Sequence, residues 1–224
     1  PGVTFITGMD GTENGAIVVD ANSWANSGVW SPSAQTGQFS VSFWLKWDGI
    51  TGAHHRPMAK RNVDWNTTAW HILINQNTPN IEFESFNYGG GAMGVLSTDS
   101  QRWQLVCATY DGATARMYVD GALTGTASVG LTDAPDSPLI LGAGTAEGAL
   151  AFNGALDDIR IYNYMLSPEE VAEAWYEVTG EAVCVNGPDA MFDHNGDCVV
   201  DMEDFASFAA HWLECGFHPV SGCP

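Results

Sequence analysis

Short apolar runs separated by clusters of Gly, Asn and Asp continue to about residue 165, and this pattern constrains the fold most. Apolar and polar residues alternate at the start of Phe39–Trp47, which predicts a strand with one buried face. Asp111-Gly112 and Asp120-Gly121 are pairs typical of hairpin turns. Because no helical pattern lies between the runs, we expect an antiparallel sandwich or jelly roll. The predicted strands are Ala16–Val19, Phe39–Trp47, Pro57–Lys60, Trp70–Ile74, Ile81–Ser85, Trp103–Tyr110, Ala115–Val119, Leu123–Ser128, Leu139–Leu141 and Phe152–Tyr162.

The charge of the chain excludes several classes of partner. Among 224 residues, Lys and Arg number 7 and Asp and Glu 27, so the formal charge is −20. A surface this acidic repels phosphate backbones and anionic lipids, which argues against nucleic-acid partners and favours divalent cations. No apolar run is long enough to insert into a membrane. The chain starts at Pro1, without Met, which suggests a processed or trimmed end.

A helix is predicted after the strands, and it closes the first domain. Ser167 and Glu170 have the spacing of a capping box, and Pro168 suits the first turn. An apolar stripe follows, and Gly180 ends it. We therefore predict one domain over residues 1–180 and a tail module over residues 181–224.

The tail contains a twelve-residue loop, 193–204, with the spacing of a calcium-binding loop. Side-chain oxygens at positions 1, 3, 5, 9 and 12 and a backbone carbonyl at position 7 can surround one hard cation. A helix with one apolar face, from Phe205 to Leu213, follows at once. An acidic turn before a helix is the alternative. The predicted calcium ligands are Asp193, Asn195, Asp197, Val199 through its carbonyl, Asp201 and Asp204.

This loop resembles the calcium repeat of dockerin modules, an EF-hand type, in which the last ligand is Asp rather than Glu. Two departures from the dockerin pattern bear on its function. Only one repeat is present, and Cys198 occupies position 6, where Gly usually makes the turn. The resemblance therefore implies a compact, calcium-stabilised tail module, and it does not carry over binding to cohesin.

Four of the five cysteines lie in the tail, which favours disulfides and an oxidising compartment. Four cysteines allow three pairings. We favour Cys184–Cys198 and Cys215–Cys223, because each closes a short loop, whereas Cys198–Cys215 would span a helix. A zinc site is the alternative, but no CxxC pair is present. Cys107, in a strand, is expected to be a buried free thiol.

Three segments of the larger domain resemble laminin-G-like domains of the concanavalin A-like superfamily: FSVSFWLKWDG, RWQLVCATYDGATARMYVDGALTG and FNGALDDIRIYNYMLSPEEV. The resemblance covers roughly residues 10–175 and implies an all-β, concanavalin A-like jelly roll. It also implies a structural calcium at Asp157, although this Asp could equally end a strand.

The opening strand and the Asp-rich turn common in that superfamily are not found in this sequence; Val3–Ile6 is the only early strand candidate. With so short a first strand, Phe152–Tyr162 is expected to have an open edge. Such an edge can recruit other strands, which raises self-assembly as a hypothesis.

Tryptophans in polar loops are candidates for ligand binding. An exposed aromatic plane flanked by amides and carboxylates can stack on a sugar ring, although the same rings could instead cover loop cores. The candidates are Trp24, Trp30, Trp47 and Trp65. Trp44, Trp70, Trp103 and Trp175 fit core positions.

No catalytic constellation is recognisable. Glu82 and Glu84 share one face of a strand and are the best candidates for a glycosidase pair, but two solvated carboxylates are the expected reading. We therefore predict a secreted, non-catalytic, calcium-binding recognition or adhesion protein, with glycan or a cell-surface protein as partner. The alternatives are a self-assembling structural subunit of a fibre or surface layer and a polysaccharide hydrolase or lyase.

Overall fold

The computed structural model describes residues 4–61, 69–85, 91–131, 136–185 and 192–212. The chain divides into two compact units, Pro1–Val183 and Cys184–Pro224. Among the described residues, the first unit contains two antiparallel sheets and one helix, and the second contains one helix. Within the described residues, no helix is long and apolar enough to cross a membrane.

The first unit is the predicted two-sheet jelly roll. Its seven-stranded sheet has the order β1-β2-β13-β4-β9-β10-β11, and its six-stranded sheet has the order β3-β12-β5-β6-β7-β8. The strands are β1 Thr4–Ile6, β2 Ala16–Val19, β3 Ala25–Asn26, β4 Phe39–Trp47, β5 His55–Lys60, β6 Trp70–Ile74, β7 Asn80–Glu84, β8 Ala92–Val95, β9 Gln104–Tyr110, β10 Thr114–Val119, β11 Ala122–Ser128, β12 Leu139–Leu141 and β13 Gly154–Tyr162.

The core lies between the two sheets and is rich in aromatic side chains. Phe39 stacks on Trp70 with ring centroids 5.0 Å apart, and Phe83 lies 6.0 Å from each of them. All three side chains are almost fully buried. Burial of rings this large supplies much of the apolar area that stabilises a sandwich.

Strand β4 is buried on both faces because helix α1, Pro168–Thr179, covers its outer side. Trp175 of α1 stacks on Trp44 of β4 with centroids 5.3 Å apart, and Leu105 belongs to the same cluster. The predicted capping box of α1 is present: Ser167 accepts from the Glu170 N–H, and the Glu170 carboxylate accepts from the Ser167 N–H.

Two strands were missing from the sequence prediction, β3 and β8. Strand β8 reads Ala-Met-Gly-Val and lacks the alternation of branched apolar residues that identifies a strand. Its Gly94 is required by packing, because a Cβ there would lie 2.7 Å from Val119 Cγ2 and 2.8 Å from Thr124 Oγ1. Tertiary contact, rather than local preference, makes this segment a strand.

The expected open edge of the last strand is only partly present. Residues 154–156 of β13 pair with β2 on one side and β4 on the other. Arg160, Ile161 and Tyr162 pair with β4, and no second described strand pairs with them. The prediction was therefore wrong for the first third of β13, since β2, and beyond it β1, extends the sheet.

The second unit contains helix α2, Met202–His211, and the predicted Cys184–Cys198 disulfide, with Cα atoms 6.1 Å apart. Cys215 and Cys223 lie outside the described residues. Cys107 is a buried free thiol, as predicted. Phe205 is 59% exposed and Trp212 is 66% exposed. The described residues therefore leave the apolar face of α2 uncovered.

Candidate calcium and ligand sites

Three carboxylates of the tail loop meet at one point. Asp193, Asp197 and Asp204 each offer an oxygen, and these oxygens lie within 4.8 Å of one another. A Ca²⁺–O bond is about 2.4 Å long, so two oxygens bound to the same ion lie at most about 4.8 Å apart. The three side chains therefore fit a single calcium ion, and positions 1, 5 and 12 of the loop supply them.

Backbone N–H groups hold the loop in its coiled shape. Asp193 accepts from the N–H groups of Gly196 at 2.7 Å and Cys198 at 3.1 Å. Asp204 accepts from Asn195 at 3.2 Å and Asp201 at 2.8 Å. The hydrogen bond from Asp201, followed by the others, lowers the pKa of Asp204, so this buried carboxyl stays ionised at neutral pH.

The remaining predicted ligands lie around this cluster. The amide of Asn195 donates to the Asp197 carboxylate at 3.0 Å, and the Val199 N–H donates to the same side chain at 2.9 Å. Asp201 is instead the N-cap of α2, where its carboxylate accepts from the Glu203 N–H at 2.7 Å. Asp201 therefore has a helix-capping role, whereas Asn195 and Val199 are exposed and donate hydrogen bonds to Asp197.

Cys198 makes the turn that Gly usually makes at position 6. Its φ is 69°, in the left-handed region, where a non-Gly residue costs on the order of 1 kcal/mol. Its sulfur is bonded to Cys184. The cross-link holds the loop in a conformation that the local sequence disfavours.

A second acidic site surrounds Asp157 in the first unit. Asp157 accepts from the Met9 N–H at 2.8 Å and from the Asp158 N–H at 2.7 Å. A Cβ on Gly8 would lie 2.5 Å from the Asp157 carboxylate and 3.3 Å from that of Asp10. Two carboxylates thus flank Gly8, and only glycine fits between them.

Asp10 was missed in the sequence, although a signal was present. Asp10 accepts two hydrogen bonds from Thr12, both at 2.8 Å, and the one from the Thr12 backbone is the main reason for its lowered pKa. The segment Gly8–Gly15 forms a tight turn that contains Asp10, so the prediction that this sequence has no such Asp-containing turn was wrong. Its Asp-Gly-Thr-Glu-Asn-Gly run has the Asp, Asn and Gly residues that such turns prefer.

One of the four candidate tryptophans is excluded as a ligand platform. Trp47 is 1% exposed, and its indole N–H donates to the Ser97 carbonyl at 2.7 Å. Its position at the end of β4 suggested a loop, but its side chain points into the core. Trp24 is half-buried, covers Gly148 and donates to the Ala146 carbonyl. Trp65 lies outside the described residues.

Among the candidate tryptophans that the structure describes, Trp30 has the most exposed side chain. It is 40% exposed and follows the edge strand β3. Its indole N–H donates to the Ser27 hydroxyl at 3.1 Å, which orients the ring. Asn26, the exposed last residue of β3, accepts from the Gly28 N–H. An aromatic face bordered by hydroxyl and amide groups can bind a saccharide.

The expectation that Glu82 and Glu84 are both solvated was wrong. Glu82 is 9% exposed, and burial, followed by the neighbouring Glu84 carboxyl, raises the pKa of Glu82 to about 7. Glu84 is contacted at 3.0 Å by Nε2 of His71, a fully buried residue. Alternation in the sequence placed both acids on the outer face, but it could not show how much of that face is covered.

Comparison with known proteins agrees with this architecture. Residues 10–172 match the family model described as the concanavalin A-like lectin/glucanases superfamily, and the chain belongs to that superfamily. No curated protein matches the sequence.

Three similar solved structures illustrate the range of proteins with this fold. Domain 4 of AbnA, a GH43 extracellular arabinanase from Geobacillus stearothermophilus in complex with arabinotriose, is 16% identical with a TM-score of 0.54, over 77% of this chain and 81% of that one. A SAP-like pentraxin from Limulus polyphemus is 16% identical with a TM-score of 0.51, over 70% and 83%.

The receptor-binding domain of botulinum neurotoxin type G is 17% identical with a TM-score of 0.53, over 79% of this chain and 46% of that one. The chain therefore spans less than half the length of the neurotoxin domains that it matches. At these identities, the similarity shows the fold alone.

Proposed function

We propose that this chain is a non-catalytic, extracellular, calcium-binding recognition protein whose partner is a saccharide. The observation that carries the proposal is Trp30, an exposed indole that is oriented by a hydrogen bond to the Ser27 hydroxyl. Stacking on such a ring, with hydrogen bonds from its neighbours, is how protein surfaces recognise sugars. The similar arabinanase domain was solved with arabinotriose, which makes arabino-oligosaccharides the first ligands to test.

Calcium has a structural role in this proposal. Asp193, Asp197 and Asp204 would hold one ion in the tail loop, with Asn195 and the Val199 carbonyl as the further oxygen donors that the loop spacing predicts. Asp157 and Asp10 would hold a second ion beside Gly8. The Cys184–Cys198 disulfide fits an oxidising, extracellular compartment.

The proposal is tested by titration with arabino-oligosaccharides and a wider glycan panel. We expect Trp30→Ala to weaken binding at least tenfold, because the stacking plane is lost. Phe5→Ala, which removes another exposed aromatic ring, is the matched control and should bind like the wild type. Equal binding by the Trp30→Ala variant would contradict the assignment of Trp30.

Self-assembly is the second candidate function, and two observations favour it. Phe205 and Trp212 of the second unit are more than half exposed. Arg160–Tyr162 pair on one side only among the described strands. Light scattering after size exclusion tests this candidate: a monomer up to high protein concentration would contradict it, and a concentration-dependent oligomer would support it.

A further inference from the structure

Position 6 of the calcium loop combines a left-handed backbone with a residue other than glycine. Calcium-binding loops of this length normally have Gly at position 6, because the chain makes a sharp turn there. Cys198 occupies that position with a φ of 69°, in the region that side chains disfavour. Gly196, at position 4, has a φ of 77°. The loop therefore makes left-handed turns at both positions, and only the first of them is at a glycine.

The turn at Cys198 orients the backbone groups that hold two of the predicted calcium ligands. The Cys198 N–H donates to Asp193 Oδ2 at 3.1 Å, and the next N–H, of Val199, donates to Asp197 Oδ1 at 2.9 Å. Both carboxylates belong to the group of three whose oxygens lie within 4.8 Å of one another. A change of φ at Cys198 turns one N–H relative to the other, so the two carboxylates would no longer be held in the same arrangement.

The disulfide to Cys184 supplies a constraint on this turn from outside the loop. Cys184 is the first residue of the second unit and lies 14 residues before Cys198, and their Cα atoms are 6.1 Å apart. A disulfide limits where both side chains can lie. The bridge therefore opposes rotation of φ back to the region that Cys198 would otherwise prefer.

Reductants can reach this bond, because Cys184 is exposed and Cys198 is half-buried. Thiol–disulfide exchange requires a thiolate to approach one of the two sulfurs. A dithiol gives up two electrons and two protons and becomes a cyclic disulfide, while the protein disulfide becomes two thiols. The constraint on position 6 is therefore one that the surroundings of the protein can remove.

We propose that Cys198 is a positioning residue for calcium, and that the Cys184–Cys198 disulfide makes the calcium affinity of the tail loop depend on its thiol–disulfide state. With the bond formed, the loop is held in the conformation that brings the carboxylates together. With the bond reduced, Cys198 relaxes from the left-handed region, and calcium binding must restore it. Restoring a disfavoured backbone conformation weakens affinity on the order of tenfold. This inference rests on the proposed calcium site in the tail loop.

The test is a calorimetric titration of the full chain with Ca²⁺, before and after reduction with dithiothreitol. We expect the reduced protein to bind about tenfold more weakly at the tail loop. The Asp204→Asn variant identifies which part of the titration belongs to this loop, because it leaves the proposed site at Asp157 intact. Equal affinities of the oxidised and reduced wild type would overturn the inference.

Two double variants without the disulfide form a matched pair. Cys184→Ser is combined with Cys198→Ala in one and with Cys198→Gly in the other. Only glycine adopts the left-handed region at little steric cost, so the Ala variant should bind calcium about tenfold more weakly than the oxidised wild type and the Gly variant within about threefold of it. A disulfide that merely stabilises the fold would affect both variants alike. Equal affinities of the two variants would therefore contradict the role of position 6.

The same pair identifies the cysteines that respond to reductant. Both double variants retain Cys215 and Cys223. Neither variant should change its calcium affinity when dithiothreitol is added. A reductant effect as large as that of the wild type would assign the response to other cysteines and overturn the role of Cys184–Cys198.

Reciprocity provides a second readout that needs no substitution. If reduction weakens calcium binding about tenfold, calcium must shift the equilibrium between disulfide and dithiol by the same factor towards the disulfide. The oxidised fraction in a dithiothreitol buffer, measured by mass spectrometry after free thiols are alkylated, should therefore rise when Ca²⁺ replaces EDTA. An unchanged fraction would contradict the coupling.

The outcomes separate this inference from the calcium site on which it rests. Equal calcium binding by the oxidised and reduced protein overturns the inference and leaves the site standing. If the oxidised wild type binds no calcium, or if Asp204→Asn binds it as tightly as the wild type, the proposed site and the inference both fail.

Discussion

At the scale of single residues, carboxyl groups in two contrasting environments are present in this protein. Asp10 and Asp204 accept hydrogen bonds from backbone N–H groups, which stabilise the anion and lower the pKa of each carboxyl. Glu82 is buried beside another carboxyl, which stabilises its protonated form. The first environment suits cation binding, whereas the second favours a protonated carboxyl.

Asp204→Asn tests the calcium loop directly. The substitution removes one negative charge at position 12, where Asp204 is 3% exposed and contacts the loop backbone. We expect calcium affinity to fall at least tenfold, or about 1.4 kcal/mol, measured by calorimetric titration. Glu203→Gln, at the adjacent exposed position, should leave the affinity unchanged. Equal affinities for all three proteins would contradict the ligand assignment.

Glu82→Gln tests the raised pKa through stability. The folded state holds this proton up to pH about 7, whereas the ordinary pKa is 4.5. The wild type should therefore lose stability as pH rises from about 4.5 to 7, because ionisation is disfavoured in the fold. Relative to wild type, the variant should gain up to about 3 kcal/mol between pH 5 and pH 8 in urea unfolding. Glu173→Gln should show no such gain. If the free energy of unfolding changes with pH in the same way for the wild type and Glu82→Gln, the raised pKa of Glu82 is refuted.

At the scale of elements, helix α1 makes β4 a strand that is buried on both faces. Trp175→Ala removes the ring that stacks on Trp44 and should lower the free energy of unfolding by about 3–5 kcal/mol. Tyr176→Ala, one residue away and 51% exposed, should change it by less than about 1 kcal/mol. Similar losses in both variants, measured by chemical denaturation, would mean that α1 is not docked through Trp175.

The same elements show what the sequence can and cannot predict. Four strands, β2, β4, β6 and β12, have their predicted bounds, because apolar runs and turn residues mark them locally. The segment Ala92–Val95 was missed, since contacts of Gly94 with distant residues make it a strand. The same limit applies to Trp47 and Glu82: alternation assigns a side chain to a face, but tertiary contacts decide whether that face is covered.

At the scale of the whole molecule, the chain contains two compact units that we expect to respond differently to calcium and reductant. Binding of a metal to preorganised carboxylates stabilises the folded state. In calorimetry, EDTA should lower the unfolding temperature of the Cys184–Pro224 unit by several degrees. Reduction of Cys184–Cys198 should lower it further. Asp204→Asn should be insensitive to EDTA; an unchanged thermogram for the wild type would contradict a structural calcium in this unit.

Saccharide recognition without cleavage is the central claim, and one measurement addresses it most directly. The wild-type protein is titrated with arabino-oligosaccharides in the presence of calcium, and the same sample is then analysed for shortened products. We predict saturable binding and an unchanged oligosaccharide length. No binding to these or any other glycans, or accumulation of shorter oligosaccharides, would contradict this account.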